Sequence, residues 1–178
     1  MPDPDPILWP LILQFILILI NALFAGAEIA VISMNDNKLA KLTAMGDKRA
    51  MRLTELTAQP ARFLSTIQVG ITLAGFLASA FAANNFSGMM VDWLVRSGVT
   101  IEPATLDTIA VVTITLILSY FTLVFGELVP KRIAMRKAEK LALAMSGLVY
   151  FIAKLFAPVV WLLTVSTNAI LRLLGFDP

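Results

Sequence analysis

Gly126 and Glu127, with Pro130 three residues further on, are the residues whose types and spacing point most directly to chemistry. Proline has no N–H, so the carbonyl four residues back, on Gly126, loses its helical donor. The proline ring also crowds that carbonyl, and a residue without a side chain accommodates the distortion most easily. The neighbouring Glu127 closes an apolar run, where a charge is expensive unless it has a partner or a task. A freed main-chain oxygen beside a carboxylate is a pair of hard acceptors. Hard divalent cations take oxygen ligands of this kind.

The elements that must hold these residues are set by composition. Of 178 residues 58% are hydrophobic and only 15% charged, with a mean hydropathy of +0.84. Such apolarity at this length points to an all-α integral membrane protein, a single transmembrane domain over 1–178. There is no cysteine and no histidine. Disulfides, thiolate or imidazole zinc sites and Ser-His-Asp hydrolysis are thereby excluded, and any metal must be held by oxygen. An intramembrane enzyme with Glu127 as base lacks a nucleophile, so the chain reads as no enzyme. The net charge of +2 says little by itself, and no nucleic-acid partner is expected.

Hydropathy places three spans, at about 7–34, 75–97 and 106–129. The acidic leader Met1–Pro6, with Asp3 and Asp5, lacks the basic start of a signal peptide. The first span carries Asn21, Glu28 and Ser33; Asn21 and Glu28 are seven apart and share a helix face. Residues 61–97 are too long for one crossing, so counting back from Arg96 starts the true span near Gly75 and leaves a juxtamembrane arm before it. Gln68, Thr72, Gly75 and Ser79 form one stripe of small or polar residues, and Asn84-Asn85 interrupt the apolar stretch beyond it. Juxtamembrane helices are expected over about 36–72 and 132–175, the second as a belt at the membrane surface. Lys154 near the middle of 141–174, and a kink at Pro158, argue against a fourth span there. The abrupt end at Phe176-Asp177-Pro178 suggests that further sequence follows.

Eleven of the fourteen Lys and Arg residues fall in two stretches, Lys38 to Arg62 and Lys131 to Lys140. By the positive-inside rule both are cytoplasmic and the N-terminus is outside the cell membrane. Ser33, Ser79, Asn84, Gly126 and Glu127 then fall at similar depth, and together offer the oxygen shell that Mg²⁺ demands. Asn37 could add a further oxygen, while Glu28 and Asn21 form a second patch for a coupling ion such as Na⁺. The alternative is structural. Membrane Ser and Asn often join helices, and Glu127 could pair with Lys131 or Arg132.

Three stretches carry a resemblance: Asn21 to Ala30, Gln68 to Leu73, and Phe125 to Lys131. Their residues, order and spacing resemble the signatures of the transmembrane domain of the CorC/CNNM magnesium transporter family. The resemblance implies a homodimer in the lipid bilayer, three true spans, and Mg²⁺ export coupled to Na⁺ by alternating access. It also implies CBS modules following the membrane domain. It places coordination on Gly126 and Glu127, with Ser33, Ser79 and Asn84 as further ligands and Pro130 as the structural break. Many relatives have Asn where this chain has Gly75, for which Asn84 is the substitute candidate. The competing reading is a non-transporting membrane Mg²⁺ sensor or scaffold using the same site.

Overall fold

The computed structural model describes residues 7–178, and the leader with Asp3 and Asp5 lies outside the described residues. The described residues are helical throughout, joined by short turns. Helix α1 (Leu8–Ser33), α4 (Pro60–Arg96) and the stretch Pro103–Arg136 are each long and apolar enough to cross a membrane. Three membrane-spanning helices make this a multi-pass membrane protein. Apolar side chains such as Phe15, Phe76 and Leu116 stay exposed on these helices, as expected where lipid replaces water as the neighbour.

Helix α4 is continuous over 37 residues, roughly 55 Å at 1.5 Å per residue. The arm and the span expected from about 75 are therefore one rod, with no break near Gly75. In the third crossing, α5 (Pro103–Leu123) starts on proline, whose missing N–H costs nothing in a first turn. A five-residue π turn, Val124–Leu128, follows, and α6 (Val129–Arg136) continues the chain.

Contacts divide the chain into two compact units, the first running up to Leu23 and including Ile71–Pro130, the second Phe24–Gly70 with Lys131–Pro178. In the first, Gln14 Nε2 donates to the carbonyl of Ala78 at 2.9 Å. Ala74, Ala78 and Ala82 are buried along α4, a small-residue seam that permits close helix approach. Gln14 Oε1 is buried without a partner.

The second unit holds the short helices α2 (Asp36–Ala44) and α3 (Lys48–Thr57). Asn35 caps α2 by accepting from the N–H groups of Asn37 and Lys38, and Asp47 caps α3 by accepting from Arg49. Hydrogen bonding to the Arg49 side chain also holds the Asp47 carboxyl below the ordinary carboxylate range. Gly46 turns the chain between them at φ 82°, a conformation side chains resist. Helix α3 packs on α2 and on α7 (Ala138–Leu155), burying Ala50, Leu53, Ala142 and Val149. Helix α8 (Ala157–Leu173) leaves α7 at a 65° bend. The break falls at Phe156, and Pro158 lies in the first turn of α8. The kink expected at Pro158 is therefore present as this bend, with the proline seated where its missing donor is tolerated.

Phe24 lays its ring on Gly70, so closely that a β-carbon there would stand 2.6 Å from two ring carbons. Gly70→Ala is expected to destabilise the fold by about 1–3 kcal/mol through overpacking. Thermal unfolding of the purified protein checks this; an unchanged midpoint would mean that the ring simply swings aside.

Candidate ion-binding site

The π turn explains what becomes of the donors around Pro130. In a π turn each N–H reaches five residues back instead of four, and here the Val129 N–H donates to the carbonyl of Val124. The Gly126 carbonyl, deprived of its helical donor by Pro130, accepts instead from Asn21 Nδ2 on α1 at 2.9 Å. Both residues are buried, Asn21 to 2% exposure. The freed oxygen is thus steadied from a different helix. A carbonyl has two lone pairs, so one such bond leaves it able to accept again.

The space around Gly126 also favours glycine. A β-carbon there would stand 3.1 Å from Asn21 Nδ2, 3.6 Å from Asn21 Cβ and 3.5 Å from Thr122 Cγ2. Thr122 lies one turn earlier on α5 and lines a cavity of about 420 Å³ with Thr72, Gly75, Ser79 and Ser119. Residues bearing hydroxyls on α4 and α5 therefore line one mainly apolar hollow, a turn away from the Gly126-Glu127 pair. Glu127 is half-buried.

The candidates are distributed unevenly over this geometry. Asn21, Gly126, Glu127 and Ser79 belong to the first unit, with Asn21 bonded to Gly126 and Ser79 on the cavity wall. Asn84 belongs to it too, but it is exposed and five positions beyond Ser79, about 140° round the helix. Its neighbour Asn85 donates to the Phe81 carbonyl of its own helix at 2.8 Å. Glu28, Ser33 and Asn37 belong to the second unit, where Ser33 and Asn37 are exposed. There Glu28 lies 3.8 Å from Lys131. Asn21 and Glu28 share a face of α1, yet each is engaged in an interaction of its own. Among the described residues no three His, Cys, Asp or Glu side chains gather as a metal cluster.

Ser119 and Thr122 were not among the sequence candidates. Their signal was available, because Thr122 is four residues before Gly126 and so lies on the same helical face.

These features define a polytopic helical membrane domain with an interrupted third crossing. The chain belongs to the Cyclin M transmembrane N-terminal domain family, whose profile matches residues 12–178. This family is implicated in cation transport and is not one of enzymes. The chain is similar to a UPF0053 protein of Synechocystis sp., 35% identical over 90% of this chain and 36% of the relative. It is also similar to the polyamine export protein of Haemophilus influenzae, 33% identical over 88% of this chain and 36% of that protein. The UPF0053 inner membrane protein YfjD of Escherichia coli is 30% identical over 88% and 33%. The chain thus spans about a third of the length of the curated relatives it matches.

Proposed function

We propose that this chain is the membrane part of a Mg²⁺ transporter, acting as a homodimer by alternating access and exporting Mg²⁺ in exchange for Na⁺. The observation that carries the reading is the Gly126 carbonyl, bonded to Asn21 and adjacent to Glu127 at the π turn. One carboxylate with neutral oxygens suits a cargo ion, which must be released after it is bound. Asn21 orients the carbonyl, Glu127 supplies charge, and Ser79 with the cavity hydroxyls supplies further oxygens or holds the waters that Mg²⁺ keeps. In this reading the N-terminus is outside, α2, α3 and α6 are cytoplasmic, and α7–α8 form a belt along the membrane surface. Regulatory CBS modules follow in the full-length protein.

Mg²⁺ flux in liposomes holding only the purified protein tests the proposal, with and without a Na⁺ gradient. Flux that depends on the protein is expected; its absence under every gradient would leave a sensor or scaffold. A second reading is favoured by the relative named for polyamine export. There the cargo is an organic polycation, which a single carboxylate among hydroxyls also suits. The same liposomes loaded with spermidine separate the two.

Two substitutions probe the geometry. Pro130→Ala supplies a new N–H that competes with Asn21 for the Gly126 carbonyl. Pro130 lies in the first turn of α6, where proline is tolerated, so the exchange should leave the fold intact. The variant is expected to bind Mg²⁺ roughly tenfold more weakly, the worth of one polar contact to a charge. Gly75→Asn acts in the opposite sense. A β-carbon at Gly75 meets nothing within 4 Å, and Gly75 lines the cavity, so a side chain there starts from open space. Mg²⁺ affinity by titration calorimetry is expected to rise by up to roughly tenfold on the same basis.

A further inference from the structure

Two cavities in the second unit share a wall made by Gln59 and Arg62. One, of about 300 Å³, has a mixed wall that also includes Glu55, Phe63, Tyr150 and Lys154. The other, of about 610 Å³, runs along α8 past Val160, Trp161, Leu163 and Leu171. A basic, aromatic hollow opening beside an apolar trough has the two-part chemistry of a phospholipid.

The charges fit this occupant. Among the described residues the ion pairs join Lys38 to Glu139, Arg49 to Asp47 and Lys131 to Glu28. Neither Arg62 nor Lys154 is in one. Lys154 Nζ instead sits 4.5 Å over the ring of Tyr150, which positions the cation without neutralising it. Arg62 offers a planar fork of donors matched to phosphate oxygens. Two cations face one carboxylate, Glu55, so the hollow favours an anion. Tyr150 and Trp161 are residue types that settle at headgroup level, and Trp161 stays 67% exposed.

We propose that this pair of cavities binds an anionic membrane phospholipid. Its phosphate lies between Arg62 and Lys154, and its acyl chain lies along α8 past Trp161 and Leu163. A free phosphate would use the first cavity alone, which makes the two sources separable.

The test uses delipidated protein titrated with phosphatidylglycerol in mixed micelles, and separately with glycerol phosphate and with inorganic phosphate. Native mass spectrometry and thermal unfolding report binding. Arg62→Gln is expected to weaken phosphatidylglycerol binding roughly fivefold and the Arg62→Gln/Lys154→Gln pair roughly thirtyfold, from the usual worth of a basic residue near anionic lipid. Glu55→Gln should strengthen it roughly fivefold on the same scale, a gain that misfolding does not imitate. Leu163→Trp, which fills the trough, should weaken the lipid but leave glycerol phosphate unaffected. Unchanged phosphatidylglycerol affinity in the double variant overturns the site. Inorganic phosphate binding as tightly as the lipid, with Leu163→Trp silent, overturns the lipid as its occupant.

Discussion

Glu127→Gln is expected to abolish measurable Mg²⁺ transport while leaving the fold intact. Glutamine keeps the shape and one oxygen but removes the one charge that the π turn presents. Losing a mere outer-shell partner costs about 10–100-fold in metal affinity, so losing the charged ligand itself should cost roughly a hundredfold or more. Mg²⁺ titration of the purified variant, with its melting curve as control, measures this. The exchange carries little structural penalty because Glu127 is only half-buried. If affinity were retained with the charge gone, Glu127 would not be a ligand.

The second large effect is expected in a double-mutant cycle on Asn21 and Gly126. Asn21→Ala leaves a buried carbonyl without its side-chain donor, at a cost of about 1–3 kcal/mol. Gly126→Ala drives a β-carbon to within 3.1 Å of the same amide nitrogen, which overpacking puts at a similar cost, about 1–3 kcal/mol. With Asn21 already truncated, the new methyl meets space where the amide was. The second substitution should then be far cheaper, with a coupling of about 0.5–3 kcal/mol between the two. Chemical unfolding of the four proteins yields that number, and strictly additive costs would mean that the two residues do not depend on each other. The Mg²⁺ affinity of the single variants should fall as well, since both disturb the orientation of one oxygen.

The broad architecture was legible because it rests on local signals. Apolar runs marked the three crossings. Pro130 announced an interrupted helix, because a missing N–H is a property of one residue. What the sequence could not announce was who answers the freed carbonyl. Asn21 lies 105 positions away, and its spacing from Glu28 suggested a shared ionic patch instead. The π form of the turn was hidden for a related reason. A proline demands a break but does not choose between a kink and an inserted residue; that choice depends on what packs alongside. Gly70 stood in a motif without a visible task until Phe24 was found lying on it. Pro158, by contrast, marked the bend between α7 and α8 directly, since a proline bars the preceding helix from running on. The continuity of α4 was concealed because a bilayer limits how much of a helix it can cover, not how long the helix is.

The turn at Val124–Leu128 accommodates one residue more than an ordinary helical turn would. Were that surplus handed on towards Pro130, the ordinary coiling would return upstream. Glu127 would swing by about 100° round the axis, the angle that separates consecutive residues. Such a slip exchanges one set of main-chain partners for another and also releases the Gly126 carbonyl from Asn21. On the proposed transporter reading, a carboxylate that faced one way and then the other would take an ion from one compartment and surrender it to the next.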